Sequence, residues 1–182
     1  LLVYYKDQKQ YLCQAYPPAH FKVAKHLVAY IDKSAGTFNL FFKGQISELS
    51  AFRPLSYEVA DNRLAYVDNS GRFFLFSNGR QKEIASFAPD KYWLTDDLLV
   101  FFENRELIVH WEEQNYVLES YMPDKIHVHK EALCYLNDMQ QLVIFRNGTK
   151  EIVSYDTPSS FHLHYNTLVY YKGNGLPHVY YK

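Results

Sequence analysis

Four of the eight histidines stand in two His-x-His pairs, His127 and His129 in "KIHVHK" and His162 and His164 in "FHLHY". On an extended strand, residues i and i+2 share a face, with Cα atoms roughly 6.5–7 Å apart. Two imidazoles so placed can converge on a divalent metal, although a stable site takes three or four ligands. Three readings follow: a weak metal site at His127 and His129, a small-molecule or partner site, or polar residues lining a wet channel or packing between sheets. The pairs are expected on equivalent strands of neighbouring units, turned in the same sense rather than toward each other. On a solvated face His127 and His129 are expected near the ordinary imidazole pKa of about 6.5.

Carboxylates are the second candidate. Asp32, Asp68 and Glu103 recur at one position, with Asn137 as the next member. A glycosidase needs two differently tuned acids in one pocket. Acids that recur at one turn position read as turn-formers instead. The sequence holds no Gly-rich phosphate loop, no distinctive Ser or Cys nucleophile motif and no cofactor motif. Cys13 and Cys134 lie in the apolar stretches "YLCQ" and "ALCY", which predicts two buried thiols rather than a disulfide framework.

The charge balance, 19 basic against 20 acidic residues, recruits neither nucleic acid nor an anionic membrane. No apolar run reaches the roughly 20 residues that span a bilayer as a helix, so no membrane insertion is expected. The chain starts at Leu1 without a visible signal peptide. A processed N-terminus fits export to the periplasm or cell surface, and localisation stays open on the sequence.

The elements that position these residues come from a repeat. The anchors Phe21, Tyr57, Tyr92, Ile126 and Phe161 are 36, 35, 34 and 35 residues apart. Each unit reads as four short strands, A to D. In "SYEVADNRLAYVDNSGRFFLFSNGRQKEIASFAP", A is "YEVA", B "LAYVD", C "FFLFS" and D "EIASF". Strand A alternates, whereas B and C are apolar enough to be buried on both faces. "SNG" and "RNG" between C and D suit a tight hairpin turn. Pro54, Pro89, Pro123 and Pro158 follow strand D, where a missing N–H does no harm.

Repeated four-stranded units of this length resemble the blades of a β-propeller, in the style of the TolB-like and WD40-like bacterial propellers. "LAYVDNSGRFFLFSNG" and "LVAYIDKSAGTFNLFFKG" are also similar to tandem-repeat proteins of Bacteroidetes. The Trp-Asp dipeptide of WD40 blades and the "SPDG" turn of TolB blades are missing, so the resemblance implies architecture and no activity. The expected fold is an all-β propeller of about five, or six, four-stranded blades on a ~35-residue repeat. The expected units are 21–56, 57–91, 92–125, 126–160 and 161–182, with 1–20 closing a single domain of residues 1–182. "LVYY" near the N-terminus reads as a B strand and "QYLCQAY" as a D strand, about a dozen residues short of the other units, so that either the first blade is cut short or a loop between them is absent. The "QYLCQAY" strand is expected to pair with the C-terminal "HVYY" as the outer strand of the last blade.

On this frame Glu58, Trp93, His127 and His162 occupy one repeat position of strand A, with His129 and His164 two residues on. A position that holds Glu, Trp, His and His is expected to face water or a ligand. Glu58, Trp93, His127, His129, His162 and His164 are therefore the candidate binding face. Trp93 is either inter-blade packing or a platform at a channel mouth. The leading functional expectation is a non-enzymatic binding or structural module for a protein or glycan ligand. A lectin-like propeller using Tyr and Trp platforms is the alternative, and a propeller glycosidase comes third.

Overall fold

The computed structural model describes residues 1–13, 15–165, 167–173 and 175–181. Its described residues contain strands and turns and no helix. They fall into two compact units, Leu1–Pro89 and Asp90–Lys182.

The first unit opens with a hairpin, β1 (Leu2–Tyr5) and β2 (Gln8–Tyr11). Two four-stranded antiparallel blades follow. The first holds β3 (His20–Ala24), β4 (Leu27–Ile31), β5 (Phe38–Phe42) and β6 (Gln45–Ser50). The second holds β7 (Ser56–Ala60), β8 (Arg63–Val67), β9 (Phe73–Ser77) and β10 (Arg80–Ala85).

The second unit holds three blades. The third blade comprises β11 (Lys91–Leu94), β12 (Leu99–Glu103), β13 (Glu106–Trp111) and β14 (Gln114–Glu119). The fourth comprises β15 (Ile126–His129), β16 (Ala132–Leu136), β17 (Leu142–Arg146) and β18 (Thr149–Ser154). The fifth has three strands, β19 (Ser160–His164), β20 (Thr167–Tyr171) and β21 (Pro177–Tyr181). In every blade strand order follows chain order, so strands A and D form the two edges of each four-stranded blade.

The apolar B strands β4, β8 and β16 are buried along their whole length, as their composition predicts. Their two faces serve two different seams. One face of the first blade, carrying Leu27, Ala29, Ile31, Phe38 and Leu40, packs on Tyr57, Leu64, Tyr66, Phe74 and Phe76 of the second. In the second unit, Leu98, Val100, Leu107, Val109 and Leu118 meet Leu133, Tyr135, Val143 and Phe145. The opposite face of the fourth blade, with Ala132, Cys134, Leu136, Leu142 and Ile144, meets Phe161, Leu163 and Leu168 of the fifth. Both thiols are free and buried, and burial pushes Cys134 up to about 12.

The N-terminal strands differ from expectation. β1 and β2 are one hairpin closed by Lys6 and Asp7, both at positive φ. The same two-residue turn joins strands C and D at Lys43-Gly44, Asn78-Gly79, Glu112-Glu113 and Asn147-Gly148. "LVYY" and the strand after it thus match a C strand joined directly to its D strand. "QYLCQAY", expected beside "HVYY", ends its strand at Tyr11 and pairs with Leu2 of β1, while β21 pairs with β20. The turn residues explain the difference: an Asp stands where three of the four blades with a C–D turn have Gly, which hid the C–D signature.

A hairpin of C and D strands also accounts for Phe21. This anchor is 48% exposed, whereas Tyr57 and Phe161 are buried. Phe21 shares a face with Tyr30, and Tyr30 packs against the hairpin residues Leu12 and Cys13. The hairpin offers no A strand opposite Phe21.

The D strand of each four-stranded blade carries a β-bulge that the period-two pattern did not reveal. Leu49, Ile84, Leu118 and Val153 are the extra residues opposite strand C. A bulge rotates its side chain out of the alternation. Leu49, Leu118 and Val153 are thereby packed into the seams.

The seam also fixes one glycine. A Cβ on Gly148, at φ +72, would lie 2.8 Å from Trp111 Cζ3 and 3.2 Å from Tyr116 Oη. Gly79, at φ +79, has open space around it. Gly79→Ala is expected to cost about 1–2 kcal/mol, the left-handed backbone penalty alone. Gly148→Ala is expected to cost clearly more, because two rings of the neighbouring blade must move. Urea unfolding of both variants checks this, and equal losses would mean that the third and fourth blades do not pack through this turn.

Candidate functional site

Strand A shows what the repeat does to its polar positions. Residues at the same repeat position of adjacent blades become neighbours. Lys22 Nζ donates to Glu58 Oε1 at 2.7 Å and to the Tyr57 carbonyl at 2.8 Å. The Lys22 ammonium also lies 5.3 Å from the Tyr57 ring centroid. Thr95 Oγ1 donates to the Lys130 carbonyl at 2.5 Å. The His127 ring sits 4.8 Å from that of the next anchor, Phe161, and 6.1 Å from His162. The His129 and His164 rings are 5.3 Å apart.

The expectation that the two histidine pairs do not meet is thus overturned. The face that carries His127 and His129 is the face the fourth blade turns toward the fifth. At Lys22 and His127 the variable position of strand A lies at the edge of a seam, over the next blade's anchor, whereas Glu58 and His162 are exposed. Trp93 shows the apolar version: it packs in the seam with Ile126 and Val128, and the Lys91 ammonium lies 4.8 Å from its ring centroid. Glu58, in the first unit, is exposed and paired with Lys22. The structure therefore brings together four of the six candidate residues, His127, His129, His162 and His164, and places Trp93 in the packing between blades.

Two residues missed in the sequence complete this cluster. Tyr165 follows His164 in the A–B turn and adopts φ 50. Lys130, its equivalent one repeat earlier, adopts φ 47. Positive φ at a bulky aromatic residue is strained and persists only where surroundings hold it. Here the Tyr165 N–H donates to His129 Nδ1 at 3.2 Å. The Tyr165 ring lies 5.1 Å from that of His129 and 4.6 Å from that of His164, and the Lys130 ammonium stands 4.3 Å from the Tyr165 centroid. Neither side chain belongs to a recognisable motif. The available signal was their shared place in the A–B turn, one repeat apart.

Two of the imidazoles, His127 and His129, are biased toward the neutral form. Burial, then the neighbouring His162, lowers the pKa of His127. Burial, then His164 and Lys130, lowers that of His129. Both depart from the ordinary value expected on a solvated face, because the seam desolvates them. An acceptor Nδ1 on His129 places its proton on Nε2. His162 and His164 are exposed. Among the described residues no group of three or more His, Cys, Asp or Glu could hold a metal ion.

The recurrent acids are committed to their own turns. Asp32 Oδ1 accepts the backbone N–H groups of Ser34 and Ala35. Asp68 Oδ1 accepts those of Ser70 and Arg72, and Arg72 Nε donates to Oδ2 at 3.0 Å. Burial alone would raise the Asp68 carboxyl, but these hydrogen bonds hold it below the usual range. Asn137 Oδ1 accepts the Gln141 N–H. Glu103 stands before a two-residue turn, Asn104-Arg105, and burial raises its carboxyl. Asp32, Asp68 and Asn137 thus hold their own turns.

The histidine shifts set a pH dependence. His127 and His129 are bases whose folded pKa values are depressed, so the unfolded chain binds protons first as pH falls. Their contribution is complete above about 6.5 and is lost as pH drops through the folded values. The melting temperature is expected to fall between pH 7.5 and 5.5, and to fall less in His127→Gln/His129→Gln. Equal slopes for the two proteins in calorimetric scans would contradict the assignment.

Comparisons with known proteins accord with this architecture. A model of the 10-bladed beta propeller domain matches residues 1–182. No curated protein sequence matches the chain. Among solved structures, Prp20p from Saccharomyces cerevisiae is similar with TM-score 0.50 and 7% identity, over 90% of this chain and 58% of that one. Hsv2p from Kluyveromyces lactis is similar with TM-score 0.47 and 10% identity, over 91% and 60%. The computationally designed Ika8 protein gives TM-score 0.45 and 12% identity, over 89% and 57%. The chain thus spans less than two thirds of the length of each of these three. The family model also corrects the expected ring size of five or six blades. A ~35-residue period counts the blades in the stretch read, whereas ring size depends on the angle between neighbours, which the period does not encode. A match along all 182 residues, on a chain built of antiparallel blades in chain order, shows that it belongs to the 10-bladed beta propeller domain family.

Proposed function

We propose that this chain is a non-enzymatic binding module and that its second unit recognises a protein partner through the edge formed by β15 and β19. The observation that carries the reading is the cluster of His127, His129, His162 and His164 with the strained Tyr165 and the Lys130 ammonium above it. Strain at an exposed aromatic residue costs stability and marks a place where shape matters more than folding. Tyr165 is 50% exposed and held on three sides, which gives a rigid amphipathic contact of the kind enriched at protein interfaces. The exposed imidazoles add donors and acceptors around it. A structural neighbour, Prp20p, is described by its binding properties to Gsp1p and histones.

The commitment of Asp32, Asp68 and Asn137 to their turns favours binding over hydrolysis. A photo-crosslinking residue in place of His164 tests the proposal in the full protein. It is expected to give a discrete protein adduct that a crosslinker at Ser70, in the first unit, does not give. Mutation of Tyr165 to Ala should reduce that adduct at least tenfold, the loss expected for a buried interface anchor of about 2 kcal/mol. Identical adducts from both positions, or none from His164, would contradict it. Glycan-array binding that is lost in Tyr165→Ala would assign the face to sugar instead.

A further inference from the structure

The first unit holds a concavity, independent of the histidine cluster, between β3 and β7. Its floor is Tyr57, its apolar wall is Ile31, Pro54 and Leu55, and His20, Lys22 and Arg53 bring three basic groups to it. Glu58 is the one acid in the lining.

The charges are unequally committed. Lys22 is neutralised by Glu58 at 2.7 Å and is further held by the Tyr57 carbonyl. Arg53 is exposed, and among the described residues no hydrogen bond or ion pair occupies its guanidinium. The concavity therefore carries about one uncompensated positive charge, on a group whose planar fork matches a carboxylate.

A second polar group stands opposite. His20 Nδ1 and the Tyr57 hydroxyl are 2.5 Å apart, with the two rings nearly perpendicular at 89°. Burial pushes the Tyr57 phenol up to about 12, so the hydroxyl keeps its proton. A hydroxyl that donates to Nδ1 leaves the ring proton on Nε2. His20 itself is exposed, and in the tautomer in which Tyr57 donates to Nδ1 its Nε2–H is a donor aimed by that hydroxyl. The apolar wall rules for a ligand that carries more than charge.

We propose that this concavity binds a monoanionic carboxylate bearing a short aliphatic group, with Arg53 as the ionic partner, His20 as the second donor, and Ile31, Pro54 and Leu55 against the aliphatic part. Net charge separates this from a phosphate, which would bring a second negative charge without a second free cation. The chemistry is shared by a free short-chain acid and by the C-terminal carboxylate of a peptide.

Chemical-shift titration of the Arg53 Nε–H and His20 ring signals tests it, with three probes: butyrate, a tetrapeptide ending in Val-Leu with a free carboxyl group, and the same peptide amidated. Saturable shifts with butyrate or the free-carboxyl peptide are expected, in the millimolar range. Butyrate binding alone would mean a small-acid site, and stronger binding of the free-carboxyl peptide a reader of chain ends. Arg53→Gln should weaken binding about tenfold or more, as loss of a charged hydrogen-bond partner does. Arg53 is exposed, so that variant folds. Glu58→Gln leaves Lys22 uncompensated and should tighten binding several-fold. No saturation with either carboxylate, equal binding of the amidated peptide, unchanged affinity in Arg53→Gln, or unchanged or weaker binding in Glu58→Gln would each overturn the proposal.

Discussion

Every feature of this chain depends on the packing of one blade's face on the next. A four-stranded antiparallel sheet with B and C strands apolar on both faces cannot stand in water alone. Leu64, Leu99, Leu133 and Leu168 are fully buried, and all lie on B strands. Burial of each such side chain contributes about 1.5–3 kcal/mol, and neighbouring blades supply it to each other. Aromatic rings fill the seams: Phe38 is 5.0 Å from Tyr57, Phe42 is 5.2 Å from Phe76, and Tyr116 is 5.3 Å from Phe145. The high aromatic content is thus a structural requirement of wedge-shaped contacts before it is anything functional.

The same packing generates the sites. Because adjacent blades repeat one geometry, equivalent strand-A residues come together. The repeat holds B and C nearly constant, while strand A varies from Lys22 to Glu58, Trp93, His127 and His162. An ion pair results at one seam, an indole contact at another and an imidazole array at a third. Chemistry at one end of each seam is free to change because stability is carried further along it.

Much of this was readable from the residues. The anchor spacing gave blades, the Asp-containing B–C loops gave turns, and the prolines after strand D marked each crossover. What could not be read has physical causes. The D-strand bulges at Leu49, Ile84, Leu118 and Val153 break the alternation by one residue, and a pattern of period two carries no sign of that. The hairpin at Lys6-Asp7 uses residues that tolerate positive φ without the usual Asn-Gly. The cross-blade meeting of His129 with His164, and the strain at Tyr165, arise from how two sheets are set against each other. Depressed pKa values at His127 and His129 follow from that same desolvation. Ring size is a property of the angle between blades and leaves no local trace.

The central claim is that neighbouring blades stabilise each other through the seam. Leu133→Ala tests it most directly. Leu133 is on β16 of the fourth blade and packs against Val100, Val109 and Leu118 of the third. Its truncation is expected to cost about 2–5 kcal/mol. Hydrogen exchange should then accelerate in β12 and β13 as well as in β16 and β17, by comparable factors. Faster exchange confined to the fourth blade would show that each sheet is stable by itself and would contradict the account.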